Sequence, residues 1–326
     1  MYCCIAVHAD VPPGNIKFPT DDADLAQLAR GFAAISPAIP NVVAAVDSVI
    51  FERTAPTATK FEDANQTSIG SHFCRKGYFG VTVLAFVDAQ MRFLSISISC
   101  GSSSHDGTLF SCSKVGAALD EGAGIKPHWI VVGDDAFKSK GHVITPFSGK
   151  ALSTRQSAFN YYVSVLRQVV ERAFHLWKAK WGIFWRPLSL HNVHIKCVVE
   201  CTARLHNFCI DRNVSANPND FVVYDDVFWQ RTYSRAISQK RRRTRCAAAP
   251  YADVIFADAA TIAAMLGHLP TDRAKRVLRT CILEHLDAQG FARPVIVHAP
   301  KQKPAARCSA IVHCAAPFLR HDACIA

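Results

Sequence analysis

The chain has 326 residues, half of them apolar and 19% charged, which is enough to bury a sizeable core and excludes a disordered polyelectrolyte. The formal charge of +11 points to a polyanionic partner, with the excess concentrated after about residue 150. No apolar run reaches the roughly 18–20 residues of a membrane helix, and the thirteen cysteines are odd in number, irregularly spaced and preceded by no signal-like N-terminus, so a soluble protein of a reduced, intracellular compartment is expected.

In chain order, VPPGN at residues 11–15 is a turn signal, and residues 22–35 have the pattern of a short amphipathic helix. Residues 42–51 read as a strand rich in Val and Ala that carries Asp47. A strand buried on both faces holds an Asp only where its charge is compensated, and a metal would do so. Residues 53–72 are polar and turn-rich, a loop. A hairpin follows, with strands at 78–87 and 92–99 around a turn at 88–90. GSSSHDGTLF then opens a helix, with cap candidates at 102–106 and with Leu109, Val115 and Leu119 on its inner face. His105 in this motif either caps the helix or supports the neighbouring Asp106 as a base or ligand-holding group. Residues 129–132 make a fourth, fully apolar strand that runs into GDDAF, and 143–145 a short fifth.

The longest periodic stretch, residues 151–188, places Phe159, Val163, Leu166, Val170, Ala173, Trp177 and Trp181 on one stripe of a helix. Ser153 or Thr154 would start it and Pro187 would stop it after Trp185 and Arg186. Trp177, Trp181 and Trp185 are expected in the core rather than as stacking platforms. Glu171 lies beside the stripe, at the core boundary, where its simplest role is an ion pair with Arg167 one turn earlier. Three acidic motifs precede it, at or just past strands: Asp47, Asp106, and the pair Asp134 and Asp135. Carboxylates at strand ends followed by one on a helix are the raw material of a divalent-metal site.

Residues 191–210 form a further helix ending in LHNFCID, and a polar linker carries the cluster Lys240, Arg241, Arg242, Arg243 and Arg245. That cluster reads as a nuclear-import signal, a nucleic-acid contact or a solvated basic linker. Residues 258–269 and 272–289 look like two small helices, the second with Val277, Leu278, Ile282 and Leu286 at helical spacing, and little order is expected from residue 301 onward. Cys197, Cys201, His206 and Cys209 are residue types that bind zinc, but on one continuous helix they cannot all converge. His206 reads instead as a packing residue at the helix end. Arg75, Lys76, Lys178, Lys180 and Arg186 could meet phosphates, and a solvated basic face explains them almost equally.

Three strands, a helix, two more strands and a helix bearing an acid is the order of an RNase H-like α/β fold, a mixed five-stranded sheet flanked by helices. The motifs VDSVIFERTAPT, NQTSIGSHFCRKGYFGVTVLAFVD, GSSSHDGTLF, IVVGDDAF, AFNYYVSVLRQVVERAFHLWKAKWGIFWRPL and LHNFCID, spanning residues 32–211, resemble the DDE nuclease domain of PIF/Harbinger transposases and the nuclease derived from them. The resemblance implies Asp47, Asp134 and Glu171 as catalytic acids, and Asp106 as a further ligand beside them for Mg²⁺ or Mn²⁺, with two ions expected. It implies hydrolysis of DNA phosphodiesters, joining of the freed 3′-hydroxyl to target DNA, a nuclear location and a separate Myb/SANT-like partner. Departures from the family pattern are Ser48 after the first acid, Cys100 before the His-Asp motif and Ala136-Phe137 after the second acid. The helix-turn-helix-like region that usually precedes such domains finds no room here, so a truncated or domesticated copy is expected, and a non-catalytic DNA- or protein-binding module that keeps the fold is the alternative. The expected layout is an N-terminal remnant or linker at 1–31, the nuclease domain at 32–211, a basic polar linker at 212–250, a small helical extension at 251–300 and a tail at 301–326.

Overall fold

The computed structural model describes residues 14–56, 72–99, 102–122, 124–137, 142–149, 151–212 and 271–294. The basic cluster at 240–245, the helix expected at 258–269, the tail beyond 301 and most of the 53–72 loop lie outside the described residues.

Five strands form one sheet: β1 (Val42–Glu52), β2 (Gly80–Val87), β3 (Phe93–Ser99), β4 (Ile130–Val132) and β5 (Val143–Ile144). Their order across the sheet is β3-β2-β1-β4-β5. β1, β2 and β3 pair antiparallel, while β4 and β5 add on in parallel with β1. This is the mixed five-stranded sheet of an RNase H-like fold. β1 is its central strand, with an antiparallel neighbour on one side and a parallel one on the other.

Both faces of the sheet are covered, which is why β2 is buried along its whole length. The side-chain period of two sorts its residues: Val81, Val83, Ala85 and Val87 join the core beneath helices α4 (Thr154–Lys180), α5 (Asn192–Asp211) and α6 (Thr271–Ala288), while Leu84 and Phe86 join a second core. Helices α1 (Asp22–Ile35), α2 (Asp106–Cys112) and α3 (Lys114–Asp120) cover that second face through Leu25, Phe110 and Leu119. These elements all lie within one unit of the chain, Met1–Arg293. Among the described residues no helix is long and apolar enough to cross a membrane.

α4 is the long spine of the first face. Ser153 starts it through a capping box with Gln156, and Phe159, Val163, Leu166, Val170, Ala173 and Trp177 are all buried. Trp177 packs edge-on against Phe51 of β1 at 4.9 Å and donates from Nε1 to the Thr202 hydroxyl of α5 at 3.1 Å. The helix ends at Lys180, earlier than the proline suggests: Trp181 leaves helical geometry, and Gly182–Trp185 turns back as a short 3-10 segment. Trp185 consequently lies outside the core, 54% exposed, with its indole N–H donated to the Lys178 carbonyl. The exit strand then runs beside the end of β1, where Leu188 N–H donates to the Glu52 carbonyl. The helix expected after GSSSHDG is two helices, because Ser113 is extended and starts α3 by accepting from the Gly116 N–H; a Cβ on Gly116 would fall 2.0 Å from the Phe110 carbonyl oxygen.

Two tertiary ties hold the periphery. Asn207 of α5 is fully buried and both accepts from and donates to the backbone of Phe93, the first residue of β3, with a second donation to the Asn15 carbonyl. α6 buries Leu278, Ile282 and Leu286 in the same core as α4. Its Arg279 donates to the Thr145 hydroxyl at 2.8 Å and stacks over Phe147, and its Lys275 donates to the Phe137 carbonyl at 3.4 Å.

Candidate active site

β1 pairs with β4 only as far as Ala45 opposite Val132, whereas its pairing with β2 continues to Glu52. Two residues past each partner come Asp47 and Asp134, so both carboxylates emerge where the parallel half of the sheet opens. Gly133 makes the passage possible: a Cβ there would sit 2.9 Å from Val143 and 3.1 Å from both Phe137 and Val46. Asp134 is fixed by accepting from the Ala136 N–H at 2.9 Å. Its neighbour Asp135 is exposed, begins a 3-10 turn and accepts from the Ser148 hydroxyl.

Alternation along β1 sends Asp47 and Ser48 to opposite faces. Asp47 faces α4, where one oxygen accepts from Arg167 at 3.2 Å and the other from the Ser48 N–H at 2.8 Å. Arg167 uses its second terminal nitrogen for Glu171, at 2.6 Å. The expected pair of Glu171 with Arg167 is therefore one half of a bridge to the strand. On the opposite face, the Ser48 hydroxyl donates to Asp106 at 2.5 Å, tying the start of α2 to the same segment of β1. His105 occupies the cap position of α2 without a side-chain cap bond.

Asp47 reports how crowded this negative charge is. Its carboxyl is pushed up to about 7, first by burial and then by the charges of Asp134 and Glu171, against the opposing pull of the Ser48 N–H and Arg167. Asp134 and Glu171 are thus close enough to act on Asp47 even with a guanidinium present. Burial is the larger cause, and the neighbouring acids add to it. Hard oxygen donors with unmet negative charge suit Mg²⁺ or Mn²⁺ in chemistry. In spacing they are not closed on a point: among the described residues no three acidic, His or Cys side chains stand ready as a metal cage.

The basic residues spread around the end of β1. Lys178 donates to the Ile50 carbonyl at 2.8 Å and lies 5.0 Å from the Phe51 ring centre, and its ammonium is pulled down to about 8 by burial, with Lys76 adding repulsion. Arg75, Lys76 and Arg186 are exposed, and Lys180 lies over the Trp181 ring. His206 is buried against Phe93, bonded to the Met91 carbonyl, and burial pushes it down to about 4. Cys197 and Cys201 are exposed on α5.

A family model described as DDE superfamily endonuclease matches residues 46–207, from just before the first acid to the buried Asn207. The chain carries a DDE superfamily endonuclease domain. Domains of this family generally use divalent metals, in keeping with the carboxylate donor set. A protein named ALP1-like, from Arabidopsis thaliana, is 25% identical over 148 residues, which is 41% of this chain. The match takes in 36% of that relative's length. No solved structure matches the chain.

Two features of the site escape a reading of the sequence. The Ser48 bridge to Asp106 looks only like a departure from a family pattern. The Arg167 contact with Asp47 joins residues 120 apart in the chain, and the spacing of Arg167 and Glu171 signals the helical half alone.

Proposed function

We propose that the chain is a divalent-metal-dependent DNA endonuclease of the PIF/Harbinger type, which hydrolyses phosphodiesters and joins the freed 3′-hydroxyl to target DNA. The observation that carries this reading is the gathering of three acids at one edge: Asp47 from a central strand, Asp134 from the end of its parallel neighbour and Glu171 from the covering helix, the first and last bridged by Arg167 and both neighbours felt at Asp47. Asp47, Asp134 and Glu171 would hold Mg²⁺ or Mn²⁺, while Asp106, the further ligand that the family resemblance implies, is tied to Ser48 on the other face of β1. When bound, two such ions activate a water or a 3′-hydroxyl and stabilise the leaving oxygen. The protein's part is to orient the carboxylates: the Ser48 N–H holds one oxygen of Asp47, and the Ala136 N–H holds one of Asp134. Lys178, with its nitrogen at the end of β1, the half-buried Lys180 and the exposed Arg75, Lys76 and Arg186 would meet backbone phosphates, giving a salt-dependent affinity for DNA.

The same reading includes a nuclear location, served by the basic cluster at 240–245 or by a Myb/SANT-like partner. A non-catalytic binding module is the second reading, favoured by the occupation of Asp47 and Glu171 by Arg167. The deciding experiment is nicking of a supercoiled plasmid with Mg²⁺ or Mn²⁺. Nicking that is lost with EDTA and in Asp134→Ala is expected, and the Asp47→Ala and Glu171→Ala variants should be equally inactive. Metal-independent nicking, or wild-type activity in any of these variants, removes the corresponding acid from the catalytic set. Folded protein that binds DNA but neither Mn²⁺ nor Mg²⁺ is the result that favours the binding module.

A further inference from the structure

We propose that Arg167 is a built-in counter-ion that stands in the place of the metal between Asp47 and Glu171, so that a divalent cation loads only as the guanidinium leaves. The inference rests on the reading of these acids as metal ligands. Its geometric basis is that two different nitrogens of one guanidinium hold the two carboxylates, at 3.2 Å to Asp47 and 2.6 Å to Glu171. A small dication draws its oxygens to about 2.0–2.2 Å from one centre, which two carboxylates splayed across a guanidinium do not offer. The two cations also repel each other, so one site cannot hold both.

An ordinary helical pair of Arg and Glu four residues apart would lie on the solvent side of α4 and touch nothing else. This one reaches across to the central strand, and the Arg167 side chain is only 24% exposed. It is nonetheless at the edge of the core rather than in it, with open solvent on one side, so a rotation about its flexible stem takes the charge out of the site without disturbing the packing of Leu166 and Val170. The metal-free site is thereby kept partly neutral and folded. The price of that arrangement is competition: Arg167 lowers the apparent affinity for metal by the free energy needed to displace it.

The test is calorimetric titration of MnCl₂ into EDTA-stripped full chain, comparing wild type, Arg167→Met, Arg167→Gln and Arg167→Lys. The uncharged variants should bind Mn²⁺ about tenfold more tightly, equivalent to about 1.4 kcal/mol, and Mn²⁺ should raise their thermal midpoint more than that of wild type. Arg167→Lys should stay near wild type. Binding by Arg167→Met and Arg167→Gln that is unchanged or weaker, in protein of wild-type circular dichroism, makes Arg167 a positioning residue and overturns the proposal. Arg167→Lys binding Mn²⁺ as tightly as Arg167→Met overturns it too, because charge would not be what excludes the metal. Loss of wild-type binding in Asp134→Ala tests the metal site independently of Arg167; absence of binding in every variant removes both readings.

Discussion

Asp47→Asn should stabilise the metal-free protein, and by an amount that depends on pH. In the folded chain the Asp47 carboxyl is raised from an ordinary 3.8 to about 7, chiefly by burial. Between these values the folded protein holds a proton that the unfolded chain has released, so stability falls as pH rises through this window and the full cost is present above about pH 7. Each pH unit is worth 1.36 kcal/mol, so the cost at pH 8 is on the order of 4 kcal/mol. Asparagine removes that dependence. Its amide would set a donor against the Arg167 guanidinium, a penalty that is present at every pH and does not alter the slope. Urea unfolding in EDTA at pH 4, 5, 6, 7 and 8 measures the difference between variant and wild type, which cancels other titrating groups such as His206. The variant should gain steadily on wild type from about pH 4 to 7 and then level off. A difference that is flat with pH, or that shrinks as pH rises, would refute the assignment of Asp47 as a destabilised buried acid.

Asn207→Ala leaves the N–H and C=O of Phe93 buried without partners and should cost about 2–4 kcal/mol, read from the urea midpoint. Gly133→Ala forces a methyl against Val46, Phe137 and Val143, costing about 1–3 kcal/mol, and by moving the end of β4 it should weaken Mn²⁺ binding as well. Ser153→Ala removes the capping box of α4 and should cost about 1 kcal/mol, with a lowered thermal midpoint and unchanged metal affinity, since the cap lies about four turns before Arg167 and about five before Glu171.

The elements that were legible in the sequence are those with a strong period. β1, the β2–β3 hairpin, α1, α4 and α5 follow directly from alternation or from a 3.6-residue stripe, and the order of strands and helices identifies the fold. Misreadings occur where backbone conformation overrides pattern. The apolar stripe of α4 continues through Trp181, yet the chain leaves the helix at that residue and returns so that Leu188 pairs beside the end of β1. A single helix was expected over α2 and α3, and Ser113 interrupts it by capping the second. At the site, the acids announce themselves as charges in apolar surroundings, whereas Arg167 and Ser48 do not, since arginine on a helix and serine on a strand are unremarkable until their distant partners are known.

The clamp formed by α6 bears on the sequence of events in folding. β4 and β5 are only three and two residues long, and the carbonyls around them are gripped by Lys275 and Arg279, whose partners are 138 and 134 residues away in the chain. Hairpin β2–β3 and the capped α4 can form from local contacts, but this edge must wait for a long loop to close. Asp134 directly follows β4, so its placement depends on this long-range edge rather than on the hairpin. The proposed metal site thus draws its acids from both the locally formed half of the sheet and the half that depends on distant contacts.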